Sequence, residues 1–245
     1  MALEQFELRL QQSVKTTPNT LHLEFVRVDG KPLNFIAGQF ITLLLTDKEG
    51  VLKRRSYSIS SYPGSDTLSI AISFVKGGIA TETLFNLKPG DTVKGMGPAG
   101  RLVLQDESIQ RYILAGTGTG IAPYRSMLPE IARRIKDSNL KIDLVLGVQF
   151  RADLLYGPDF VEFAKAHPNF TFHAQYSRET ATDLQAYEHQ GYVQTAFMRL
   201  NLNPANDIVY LCGNPNMIDE AFKELTESYG FATSNIRREK YISSN

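Results

Sequence analysis

The 245-residue sequence predicts a two-domain β + α/β protein, an antiparallel β-barrel over residues 1–104 followed by a doubly wound parallel-sheet domain over 105–245. Three observations carry this expectation. Apolar and polar residues alternate in twos up to about residue 104. Beyond it, apolar runs alternate with segments of helical period, the βαβ order that argues a parallel sheet. A glycine-rich turn, "GTGTGIAPYR" at 116–125, sits directly behind the apolar run "YILA".

In the first half, "FELRL" places Phe6, Leu8 and Leu10 on one strand face, "LHLEF" places Leu21, Leu23 and Phe25, and "LSIAISF" places Leu68, Ile70, Ile72 and Phe74. Turn signals at "VDGK", "DKEG", "SYPGSD" and "KPGD" separate these strands, as in an antiparallel barrel. Only "IATETLFNL", with Ile79, Leu84 and Leu87 on one face, reads as a short helix. After "QDESIQ", residues 105–110, the strands are "RYILAG", "IDLVLGV", "FTFHAQY" and "DIVYLCG". Helices are expected around 121–136, 157–166, 192–200 and 215–229, with Pro129 interrupting the first and kinking it. In such a sheet, ligands sit at the carboxyl ends of the strands.

Composition excludes several classes. Lys plus Arg and Asp plus Glu balance at 26 each, so no net charge points to nucleic acid or an acidic membrane. No apolar run approaches the about 20 residues that cross a bilayer, and "MALEQFELRL" lacks the pattern of a signal peptide; a cytoplasmic protein without a membrane partner is expected. Cys212 is the single cysteine, so an iron–sulfur centre would have to belong to a partner. The four histidines show no metal-ligand spacing, and no metal site is expected.

The glycine turn invites a phosphate, because residues without Cβ let backbone N–H groups approach a ligand and a helix start adds partial positive charge. Its match to G-x-G-x-x-G is imperfect: Gly116 and Gly118 take the first two places, Ile121 holds the third, and Gly120 comes one residue early. Three further motifs give it context: "RRSYSIS" at 54–60, with Arg55, Tyr57 and Ser58; "GGIAT", with Gly78 and Thr81; and "CGNPNM", beginning at Cys212. Arg55 offers a planar fork suited to a pyrophosphate, and Tyr57, two residues on, shares its strand face. Thr81 could cap the short helix after it.

Together these motifs resemble the ferredoxin–NADP reductase superfamily across nearly the whole chain, and the bacterial ferredoxin/flavodoxin reductase branch fits best. The resemblance implies an FAD-binding barrel and an NAD(P)-binding domain. Arg55, Tyr57, Ser58, Gly78 and Thr81 would hold FAD, with Ser58 at the flavin N5. Gly116, Thr117, Gly118 and Gly120 would hold the pyrophosphate and nicotinamide, beside Cys212 and Gly213 where the two domains meet. "REKYISSN" resembles the E-x-Y ending, in which the ring of Tyr241 stacks on the flavin and Glu239 assists proton movement; here four residues follow. Ser58, Cys212 and Glu239 are thus the expected catalytic residues. Electrons would pass singly to ferredoxin or flavodoxin.

The nucleotide preference turns on the adenosine ribose. No acid lies at 147–151, Arg151 is near, and Arg178 matches the arginine of the family's S-R-E segment, so NADPH is expected, with NAD the alternative. A second basic position of that branch is Tyr192 here. Two rival functions stand beside this one: an NADH-dependent reductase component feeding an oxygenase through a separate iron–sulfur protein, and a non-catalytic nucleotide-binding regulator.

Overall fold

A computed structural model describes residues 3–105 and 109–241. The chain divides into two compact units, one of the residues up to Leu104 with Ala122–Met127, the other of Gln105–Ile121 and Leu128 onward.

The first unit is a six-stranded antiparallel sheet of β1 (Glu4–Thr17), β2 (Thr20–Arg27), β3 (Phe40–Thr46), β4 (Leu52–Ser58), β5 (Leu68–Ser73) and β6 (Thr92–Ala99), in the order β4-β3-β6-β1-β2-β5. The sheet closes on itself. Just past β4, Ile59 bridges Ile70 of β5, and the Ser60 N–H donates to the Ser69 carbonyl at 2.8 Å. Closure leaves one interior, filled by Leu8, Leu10, Leu23, Phe25, Ile41, Leu43 and Ile70, the inward set of the period-two pattern. β1 runs well beyond the "FELRL" alternation, because Gln11–Thr16 is exposed and needs no apolar face.

The short helix α1 (Ile79–Leu84) forms where the sequence placed it, but its cap differs. Gly78 is the N-cap, while the Thr81 hydroxyl, inside the first turn, accepts the Val75 N–H at 2.7 Å. Thr81 therefore ties the helix to the strand-to-helix loop; it is not the cap.

The second unit is a six-stranded parallel sheet of β7 (Arg111–Thr117), β8 (Lys141–Val148), β9 (Phe170–Tyr176), β10 (Glu188–Gln190), β11 (Asp207–Gly213) and β12 (Ile236–Lys240), in the order β10-β9-β8-β7-β11-β12. Helices α5 (Val193–Leu200) and α6 (Pro215–Glu227) cover one face, packing Phe197, Ile218, Ala221 and Leu225 on Ile113, Ala115, Val145 and Leu211. On the opposite face α4 (Gly157–Ala166) sets Phe160 against Phe172, ring centroids 5.4 Å apart. Burial on both faces explains why these strands read as continuous apolar runs.

The helix expected over 121–136 is two helices, α2 (Ala122–Ser126) and α3 (Leu128–Ile135), broken at Met127. Pro129 causes a break here and not a kink: it has no N–H to continue the ladder, and it is tolerated in the first turn of α3, where that N–H would be unsatisfied. The edge strands β10 and β12 escaped the sequence reading because they are short or charged. Among the described residues, no helix is long and apolar enough to cross a membrane.

Candidate functional site

β7 and β11 are neighbours at the point where strand order reverses, with β8, β9 and β10 leading away on one side and β12 on the other. Such a switch point opens a crevice at the strands' carboxyl ends. Register places Gly116 beside Cys212, so the loops "GTGTG" and "CGNPN" leave the sheet side by side. The Thr117 hydroxyl accepts the Asn214 N–H at 3.0 Å and locks the two loops together.

The glycines divide by role. Gly118 has φ +52° and open space where a side chain would go. A Cβ on Gly120 would lie 2.4 Å from the Cys212 carbonyl oxygen, so its bare Cα is needed for the two loops to pack. Gly213 combines φ +122° with a Cβ position 2.6 Å from the Thr117 hydroxyl. Of these three only Gly118 has open space where a side chain would go. Asn214 caps α6 itself, accepting from the N–H groups of Asn216 (2.9 Å) and Met217 (3.3 Å).

The chain end joins this cluster. β12 pairs with β11 so that Glu239 stands beside Cys212 and projects to the same face. The Tyr241 N–H donates to the Gly213 carbonyl at 2.8 Å, and its phenol donates to the Thr119 carbonyl at 3.1 Å. The structure thus unites Thr117, Cys212, Gly213, Glu239 and Tyr241. Ile242–Asn245, the four residues that follow Tyr241, lie outside the described residues.

Cys212 is fully buried, and burial, reinforced by the Glu239 charge, pushes its thiol well above the ordinary range. The neutral thiol is the form held at physiological pH. Native protein at pH 8 is therefore expected to react with a disulfide reagent such as DTNB at least about a hundred-fold more slowly than urea-denatured protein. Equal rates would show that the thiol is accessible. Because the folded pKa is raised, this group's contribution to stability is full below the unfolded thiol's pKa of about 8.5 and is lost as pH rises above it.

At the ends of β8 and β9 lie the two arginines expected at the ribose. Arg151 forks onto Glu188 with contacts of 3.0 and 2.8 Å. Glu188 is buried and also accepts the Tyr176 phenol at 2.6 Å and the Gln185 N–H at 2.8 Å. Burial alone would raise the Glu188 carboxyl, but these hydrogen bonds outweigh it and hold the group below its ordinary value. The guanidinium of Arg178 is exposed and takes no hydrogen bond or ion pair among the described residues. Tyr192, 68% exposed, is the N-cap of α5 and offers its side chain to no cap bond.

In the first unit, β4 alternates so that Lys53, Arg55 and Tyr57 share a half-buried face while Leu52, Arg54 and Ser56 are exposed. Tyr57 packs against the barrel core, and burial raises its phenol, which stays neutral. Ser58 is buried at the end of the strand. Past β5, Gly77 (φ +72°) faces open space one residue before the Gly78 cap. Two residues escaped the sequence reading. Arg125 of α2 donates to the Ser60 carbonyl at 2.8 Å and lies over the Tyr62 ring at 5.4 Å, bracing the loop after "RRSYSIS". Glu188 carried no local signal, since its partner Arg151 is 37 residues away.

Comparison with known proteins matches the Oxidoreductase FAD-binding domain family over residues 7–104 and the Oxidoreductase NAD-binding domain family over residues 114–223. Ferredoxin–NADP reductase B of Sorangium cellulosum is 30% identical over 246 residues, covering 97% of this chain and 98% of its own. The chain belongs to the ferredoxin–NADP reductase superfamily. A second relative of this reductase-type chain, the toluate 1,2-dioxygenase electron transfer component of Pseudomonas putida, is 32% identical over 92% of the chain, which spans 64% of that longer protein. A ferredoxin–NADP reductase from Neisseria gonorrhoeae with bound FAD and NADP shares the fold, with TM-score 0.82, 22% identity, and coverage of 97% and 99%.

Membership makes the chain a flavoprotein oxidoreductase with one FAD-binding and one NAD(P)-binding domain. The residues present fit both groups. Arg55, whose Nη1 donates to the Arg54 carbonyl at 2.8 Å, would bring a planar guanidinium to a pyrophosphate on the face where Tyr57 would bring a ring, and Gly77 has open space where a side chain would go. Gly118 has open space beside the backbone at a strand-to-helix turn, where a dinucleotide pyrophosphate would fit.

Proposed function

We propose that this reductase draws electrons from NADPH and delivers them singly to a ferredoxin or flavodoxin in the cytoplasm, through an FAD domain over 1–104 and a nucleotide domain over 105–245. The exposed, uncommitted guanidinium of Arg178 at the end of β9 is the observation that carries the nucleotide choice. A ribose 2′-phosphate suits such a fork, whereas a 2′-hydroxyl would be met by an acid. Glu179, the nearest acid, does not oppose it. Its carboxylate is turned onto the N–H groups of Arg151, Thr180 and Ala181 at 3.0–3.1 Å, which lower its pKa and satisfy its charge.

FAD, when bound, accepts two electrons from a reduced nicotinamide and releases them one at a time. The chain's part is placement. Arg55 and Tyr57 would hold the flavin nucleotide, and Ser58 would bring its hydroxyl to the flavin ring. Gly118 admits the dinucleotide pyrophosphate, Thr117 and the neutral Cys212 thiol shape the nicotinamide pocket, and Glu239 serves proton movement beside Tyr241.

Stopped-flow reduction of the flavin-loaded chain by NADPH and by NADH tests this reading. NADPH is expected to win, and Arg178→Ala to raise KM for NADPH by about 10- to 100-fold, the loss of one or two charge-assisted hydrogen bonds of about 1.5–3 kcal/mol. A strong NADH preference would favour the oxygenase-component alternative, to which the Pseudomonas relative lends support. Protein that stays colourless on incubation with FAD would favour a nucleotide-binding regulator.

A further inference from the structure

We infer that Arg151 is a positioning residue and not a phosphate ligand: with Glu188 it clasps the loop from Ser177 to Gln185 and thereby sets Arg178 toward the ribose phosphate. The inference deepens the NADPH reading and rests on it.

The loop is tied at three places. At its entry the Ser177 N–H donates to the Val148 carbonyl and the Arg178 N–H to the Gln149 carbonyl, both at 3.0 Å. In its middle, Glu179 accepts the Arg151 backbone N–H at 3.0 Å. At its exit the Glu188 carboxylate gathers Arg151, Tyr176 and the Gln185 N–H, while the Arg151 guanidinium also reaches the Asp183 carbonyl at 3.2 Å and its carboxylate at 3.5 Å. One arginine therefore touches the segment after Arg178 through both its backbone, at Glu179, and its side chain, at Asp183 and Glu188, while the Ser177 N–H ties the segment before it to Val148.

Arg151 spends its bidentate edge, Nε and Nη2, on Glu188, and its Nη1 faces the Asp183 carboxylate at 3.5 Å, so a phosphate could take that edge only by displacing Glu188. That would leave a carboxylate of 2% side-chain exposure without its cation, an exchange the energetics of buried charge oppose. Arg178 faces no such competition. The two arginines thus have different work despite similar positions at neighbouring strand ends: one organises the loop, and the other is presented by it. Holding a long side chain in place before binding reduces the ordering cost that binding would otherwise carry.

The test uses the flavin-loaded full chain with 2′-phospho-AMP and 5′-AMP as probes, in Arg178→Ala, Arg151→Gln, Arg151→Lys, Glu188→Gln and the Arg151→Gln/Glu188→Gln double variant. Arg178→Ala is expected to weaken 2′-phospho-AMP about 30-fold. Arg151→Gln and Glu188→Gln should each weaken it about 10-fold, and the double variant no more than either single one, because both break the same clasp. Arg151→Lys, which keeps the charge and loses the fork, should recover part of the affinity. The ratio of 2′-phospho-AMP to 5′-AMP affinity falls in step, a change that a general loss of stability would not produce.

Loss in Arg151→Gln with full affinity in Glu188→Gln, or multiplicative losses in the double variant, would mean that Arg151 contacts the phosphate and would overturn the inference. If Arg178→Ala leaves the ratio untouched, the NADPH reading fails, and the clasp is then decided by hydrogen exchange. Amides of residues 178–185 are expected to exchange at least ten-fold faster in both single clasp variants, and unchanged protection would overturn it.

Discussion

Gly120→Ala is expected to destabilise the second unit by about 3 kcal/mol or more, whereas Gly118→Ala, two residues earlier, should cost only about 1 kcal/mol. The added carbon at 120 meets backbone on every near side: the Cys212 oxygen at 2.4 Å and the Cys212 carbonyl carbon and Gly213 Cα at 2.7 Å. Backbone at the end of a buried strand cannot rotate away as a side chain can, so β11 or the turn must move. At 118 nothing lies within 4 Å, and the cost is that of holding an L-residue at φ +52°, partly offset by a less flexible unfolded chain. Function should invert this order of sensitivity. Gly118→Ala, folded and flavin-loaded, is expected to lose nucleotide affinity because its methyl intrudes on the open approach. Urea midpoints followed by far-UV circular dichroism, beside nucleotide titrations, separate the two effects, and equal midpoints for the two variants would refute the division of roles.

Asp207→Ala should destabilise the same unit by about 3–5 kcal/mol. Asp207 is buried at the amino end of β11, where it takes the Arg111 guanidinium at two points, Nε at 3.0 Å among them, and accepts the Asn203 N–H at 2.7 Å. Asp143 lies 3.5 Å from Arg111 and is itself bonded to His173 at 3.0 Å, so it offers incomplete compensation. Asp207→Asn, which keeps an acceptor for the Asn203 N–H, should lose roughly half as much. The pair stands at the end of the sheet opposite the Gly116–Gly120 turn, so the choice between NADPH and NADH should be unchanged in the folded fraction of Asp207→Asn. A stability within about 0.5 kcal/mol of the parent for Asp207→Ala would show that water or Asp143 already satisfies Arg111.

Much of the architecture was readable from spacing. The inward set of the barrel follows the alternation of "FELRL", "LHLEF" and "LSIAISF" except at Phe74, which lies past the end of β5 and is exposed, and the four long strands of the second sheet fall on the four apolar runs. Periodicity failed where burial was partial. β10 has three residues and β12 reads "IRREK", an edge strand whose exposed charges discourage pairing with another chain. The candidate site residues came from motifs, each a short string whose backbone requirement is local. Their assembly was not visible, nor was Arg125, whose partners Ser60 and Tyr62 lie far back in the chain.

Local sequence by itself determined the two-domain fold class, most of its elements, the family to which they belong and the candidate strings for its chemistry, because hydrophobic period and turn chemistry act over a few residues. Only the tertiary structure decided that Gly120 serves packing while Gly118 stays open, that Thr81 anchors a loop and leaves the cap to Gly78, and that Arg151 is held by Glu188 while Arg178 is left uncommitted. In each case the deciding atom belongs to a neighbour brought close by folding, and sterics and hydrogen bonds act on distance in space, which separation along the chain does not encode.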